Sequence, residues 1–133
     1  MLACASTPGQ RGLVSPQQSH SSSGKKLALV VGIDRYSNGW PRLAEAVRDA
    51  SMVRDELQAQ GFDVDFVTDI DRASLTRKLK TEMPARLSTE DQFVFYFAGH
   101  GQTFTGVDGE KLGYLIPADG RRTDDSLDEW DTY

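Results

Sequence analysis

The chain has 133 residues, of which 38% are hydrophobic, 26% charged and 9% aromatic, a composition that suits one globular domain and argues against disorder throughout. Twenty acids against fifteen bases give a formal charge of −5, and basic residues are not interleaved with aromatics, so nucleic acid is a poor partner. The only cysteine, Cys4, excludes an internal disulfide framework and any zinc site built on two or four cysteines.

Residues 1–24 contain no acid, one base (Arg11), and from Ser6 onward mostly Ser, Gln, Pro and Gly. Such a segment lacks the apolar surface to order itself, so a disordered N-terminal lead is expected before a domain over 25–133. That domain holds all twenty acids and fourteen bases, a net charge of −6. Leu2-Ala3-Cys4 followed by small residues also resembles the end of a lipoprotein signal, although no charged or apolar stretch precedes it. A cytoplasmic location is the preferred expectation, with a lipid anchor at Cys4 if the true start lies upstream. No apolar run reaches the roughly eighteen residues of a membrane span.

Lys26 to Ile33 is a continuous apolar run, β-branched at its centre, which predicts a strand buried on both faces of a sheet. Leu43, Val47, Ala50, Val53 and Leu57 form one helical stripe, stopped by Gly61. Phe62, Val64 and Phe66 alternate with acids and read as a more exposed strand. Asp71 can cap a second helix carrying Leu75, Leu79 and Met83, which Pro84 should end or kink. Gln92 to Ala98 reads as a second fully apolar strand, and Tyr114 to Ile116 as a short fourth strand. Alternating strands and helices predict an α/β fold with a mainly parallel sheet covered by helices. Ala118 to Tyr133 carries six acids, two bases and almost no apolar periodicity. An open sheet followed by such a tail leaves one edge undercovered, so the chain is expected to be part of a longer one.

In an open parallel sheet, functional groups collect where loops leave the carboxyl ends of the strands. Two loops qualify: Gly32 to Pro41, and Gly99-His100-Gly101-Gln102. The glycines beside His100 let the backbone approach a ligand closely. Position alone leaves His100 open between a functional and a hydrogen-bonded structural histidine, whereas His20, in the Ser-rich lead, is expected to be solvated and inert. No third glycine completes a dinucleotide fingerprint and no phosphate-binding loop is present.

Taken in order, LALVVGIDRY (27–36), AVRDA (46–50), DQFVFYFAGHG (91–101) and YLIPAD (114–119) resemble the large-subunit region of the caspase superfamily. The resemblance is nearest to its bacterial caspase-like, metacaspase and paracaspase branches, spans about 26–120, and is most specific at Tyr-x-Ala-Gly-His-Gly. It implies a three-layer α/β/α fold, incomplete here at the C-terminal side, and a cysteine-type endopeptidase. His100 matches the histidine that activates a cysteine thiol and protonates the leaving amine. Gly101 matches the glycine whose N–H forms half of the oxyanion hole. Asp49 matches the acid that lines the primary specificity pocket, which implies cleavage after Arg or Lys. Without the resemblance Asp49 reads as a solvated helix residue. Arg42 carries the counter-reading, since caspases that cut after Asp use an arginine near this place.

Some relatives bind calcium through aspartates after the histidine strand, and Asp124 and Asp125 fall there. Two adjacent acids in an acidic tail fit a solvated loop better than a site that needs six or more oxygens, about six to eight. The matching cysteine follows a later apolar strand; Cys4 precedes the fold, and Ser126 occupies no strand end. The implied partners are therefore a peptide substrate with a basic P1 residue and the remaining C-terminal part of the domain. The chain alone is expected to be inactive, and a non-catalytic adaptor or pseudoenzyme is the alternative.

Overall fold

The computed structural model describes residues 2–6 and 24–122. In chain order the elements are β1 (Leu2–Ser6), β2 (Lys26–Gly32), α1 (Ala46–Ala59), β3 (Asp63–Thr68), α2 (Arg72–Arg77), a π-helical turn (Lys78–Glu82), α3 (Met83–Arg86), β4 (Gln92–Gly99), β5 (Gly101–Thr105) and β6 (Lys111–Leu115). The main sheet has the order β1-β4-β2-β3, with β2 parallel to both β4 and β3, while β5 and β6 form a separate antiparallel pair.

The central strand β2 is buried on both faces, as its unbroken apolar run requires. Leu29, Val31 and Ile33 point to one side, where Leu75, Met83 and Phe97 join them beneath α2 and α3. Ala28 and Val30 point to the other, packing with Ala46, Ala50 and Ala98 beneath α1. The result is the expected α/β/α layering. Gly32 sets how closely α1 approaches: a Cβ there would stand 2.8 Å from the Ala50 Cβ and 2.8 Å from the Val47 Cα.

Pro84 shapes the second helical layer. Its ring excludes an ordinary i→i−4 ladder just ahead of it, and the helix widens there, Met83 donating its N–H back to the Lys78 carbonyl. The helix then resumes over Met83–Arg86 with the proline in its first turn. Lys78 Nζ, 2.6 Å from Asp65 Oδ2, ties this segment to β3.

Four expectations need correction. The strand around Tyr114 to Ile116 does not join the main sheet; it becomes β6 and pairs with β5, so Gly101 and Gln102 begin a strand rather than continue a loop. The fourth strand of the main sheet is instead β1, drawn from the segment expected to be disordered; the rest of residues 1–23 lies outside the described residues. Helix α1 begins at Ala46, three residues after Leu43, which packs on the same core from the loop. Residues 118–122, read as unpatterned, are fixed by backbone bonds: Ala118 donates to Ile70 and accepts from Ser37, and Arg122 donates to Asn38.

The placement of β1 can be checked at single amides. Gln92 donates to Lys25 and Ala98 accepts from Ile33, so even-numbered residues of β4 face β2 while Phe95, Phe97 and Gly99 face β1. Deleting residues 1–6 is expected to accelerate hydrogen exchange at Phe95, Phe97 and Gly99 and leave Val94 and Tyr96 unchanged, read by NMR. Equal rates at all five before and after deletion would show that β1 does not cover this edge.

Candidate active site

At the carboxyl end of the main sheet, β4 stops at Gly99 and the chain turns at His100 into β5. The loop after β2 comes to meet it. Tyr36 stands edge-on to the His100 imidazole, with ring centroids 4.7 Å apart and planes at 63°, and Trp40 lies on it at 5.2 Å and 34°. The Arg122 guanidinium stacks over Trp40 at 5.8 Å.

Two hydrogen bonds fix the histidine. Its backbone N–H donates to the Tyr36 hydroxyl at 2.8 Å, and its ring Nε2 lies 2.7 Å from the Pro41 carbonyl oxygen. A carbonyl can only accept, so Nε2 carries the proton and, in the neutral ring, Nδ1 keeps its lone pair. Burial raises the Tyr36 hydroxyl well above the ordinary tyrosine range; the bond from His100 opposes this, and the Asp69 and Asp34 carboxylates add to it. Tyr36 therefore stays neutral.

The loop is held by carboxylates that accept backbone N–H groups. Asp69 Oδ1 takes Asp34 and Arg35, each at 3.0 Å; at the same sheet end Asp119 Oδ1 takes the N–H of Arg72, the first residue of α2, at 2.7 Å. Asp34 Oδ1 accepts from Ala46 at 2.9 Å and Val47 at 3.2 Å, supplying the cap that Glu45 does not make. Asp34→Ala should cost about 1–2 kcal/mol and lower Tm by several degrees, whereas Asp34→Asn, which keeps an acceptor oxygen, should lose less than half of that. Thermal unfolding followed by circular dichroism measures both; equal losses would show that the cap is not what Asp34 supplies.

Gly101 pairs with Leu115, and His100 accepts from Ile116 at 3.0 Å. Gly101 thus occupies a non-hydrogen-bonded position of the ladder, and its own N–H points away from β6. Asp49 is half-buried in the first turn of α1, the turn that packs on Gly32, so it shares the sheet end where His100 lies. Its carboxylate is near Tyr96 of β4, whose hydroxyl is raised first by burial and further by that charge. Arg42 is exposed in the loop beside Pro41.

Asp124 and Asp125 fall outside the described residues, and among the described residues no group of three or more His, Cys, Asp or Glu side chains assembles that could hold a metal ion. Among those residues no helix is long and apolar enough to cross a membrane. The sequence marked His100, Gly101, Asp49 and the loop, but assigned no role to Asp34, Tyr36, Trp40 or Pro41. Two aromatics in a ten-residue polar loop were the available signal; a backbone carbonyl leaves none.

A family model described as the caspase domain matches residues 25–130. No curated protein and no solved structure matches the chain.

Proposed function

From the premise that the chain belongs to the caspase family, and so to a family of cysteine peptidase domains, we propose that it supplies the general base, part of the oxyanion hole and part of the specificity pocket of an endopeptidase that cleaves after Arg or Lys. One observation carries this reading: the Pro41 carbonyl holds His100 Nε2–H, which leaves Nδ1 as the proton acceptor beside an outward-facing Gly101 N–H.

The chemistry follows from those groups. His100 Nδ1 takes the thiol proton of a cysteine, the thiolate attacks the scissile carbonyl carbon, and the Gly101 N–H stabilises the oxyanion that develops. The imidazolium formed is steadied by the Pro41 carbonyl and then gives its proton to the leaving amine. Water next attacks the thioester with His100 again the base; the carbon–sulfur bond breaks, the acid product leaves, and the imidazolium returns its proton to the thiolate. Asp49 would meet the substrate guanidinium or ammonium through a charge-assisted hydrogen bond.

Cys4 is the sole cysteine of the 133 residues and lies in β1, which runs antiparallel to β4. Cys4 pairs with Phe97 inside β1 and does not follow a strand as the cysteine implied by the resemblance does, so this reading assigns the nucleophile to a cysteine outside these residues. That same observation favours a second reading, a binding module that keeps the fold without chemistry. A peptidyl-arginine acyloxymethyl ketone separates the two when applied to the polypeptide expressed from its own gene. Labelling of a cysteine other than Cys4, located by mass spectrometry and absent with the peptidyl-aspartate analogue, is expected. No labelled cysteine would overturn the peptidase reading, and label on Cys4 would overturn the assignment of the nucleophile to a cysteine outside these residues.

A further inference from the structure

We infer that Tyr36 is the positioning residue of His100, fixing the ring orientation that lets Nε2–H reach Pro41 and leaves Nδ1 open; this rests on the reading of His100 as the base. His100 stands between two glycines at the turn from β4 to β5, so no side chain adjacent in sequence restrains it. Its restraint comes from the loop after β2, and Tyr36 supplies two parts of it, the hydroxyl that accepts the His100 N–H and the ring set edge-on to the imidazole.

Tyr36 is itself anchored on both sides. Asp34 and Arg35 donate their N–H groups to Asp69, Ser37 donates to Ala118, and the Tyr36 ring packs against the core that holds Leu29, Ile33 and Phe97. The fold also makes room for its hydroxyl: a Cβ at Gly99 would collide with Tyr36 Oη and approach the Phe97 ring to 2.9 Å. Hydroxyl, ring and Pro41 carbonyl thus belong to one braced segment, and loss of the hydroxyl leaves the His100 N–H without its acceptor and frees the backbone that aims the ring.

The test uses the 133-residue chain with 15N-labelled histidine, and needs no peptidase activity. In the wild type the imidazole is expected to be protonated at Nε2, with that proton protected from exchange. In Tyr36→Phe the Nε2 proton should exchange about tenfold faster or more, the consequence of an unmade hydrogen bond, while the core amides of Leu29 and Val31 keep their rates. Gly99→Ala, which displaces the hydroxyl sterically, should give the same result if Tyr36→Phe does not fold. Tyr114→Phe, on the β5–β6 hairpin, should leave His100 unchanged. Unaltered Nε2 exchange in either folded variant, or acceleration shared equally by Leu29 and Val31, removes Tyr36 from this role. A wild-type ring protonated at Nδ1 would instead overturn the reading of His100 itself.

Discussion

Replacing His100 with alanine is expected to lower kcat/KM for peptides with Arg or Lys at P1 by about 10²–10⁴-fold, the range over which a positioned acid–base group contributes. The measurement is made on the polypeptide expressed from its own gene, with a fluorogenic leaving group. The loss should fall on kcat, because the proton transfers that His100 would perform occur in the transition states for attack and departure. Its ring lies half-buried at the rim of the sheet rather than in either core cluster, so folding should survive the change. His20→Ala, in the other histidine of the chain, is the control and should leave the rate as it was. A wild-type rate in His100→Ala would remove His100 from the chemistry.

The second large effect is expected at Asp49. Asp49→Asn keeps the shape of the side chain and removes its charge, and a charge-assisted hydrogen bond is worth about 1.5–3 kcal/mol, or roughly ten- to a hundredfold in kcat/KM for an arginine substrate. The helix should tolerate it, since a first-turn carboxylate contributes only about 0.3–1 kcal/mol through the helix dipole. Were Asp49 merely a solvated helix residue, the variant would lose that small increment of stability and no selectivity. The decisive comparison is therefore the ratio of rates for Arg-ended and uncharged peptides in wild type and variant, with thermal unfolding measured in parallel. Selectivity that persists in Asp49→Asn would move the pocket elsewhere.

The elements that could be read from the sequence are those whose burial is set locally. β2 and β4 stand out because apolar side chains on both faces leave an unbroken run, and α2 because Asp71 sits where its carboxylate can accept the Ser74 N–H. What escaped has long-range causes. The apolar stripe does not reveal where α1 starts, because its cap is Asp34, twelve residues upstream of Ala46 and separated from it by a loop. The strand after His100 was hidden because its pattern is short and its partner, Lys111–Leu115, lies beyond a turn. β1 carries small residues without alternation, and only the open edge of β4 gives it a partner.

The site divides in the same way. Flanking glycines and a preceding apolar strand made His100 visible, and the resemblance carried Gly101 and Asp49. The Pro41 carbonyl, which selects the tautomer, is a backbone atom with no sequence signature. Tyr36 needed the fold to bring its hydroxyl across sixty-four positions to the His100 amide.

The most direct measurement is the P1 profile of the polypeptide expressed from its own gene, taken across peptides ending in Arg, Lys, Asp and uncharged residues, for wild type and His100→Ala side by side. Cleavage after Arg and Lys that disappears in His100→Ala is the expected result; cleavage after Asp, or a profile that the substitution leaves intact, contradicts it.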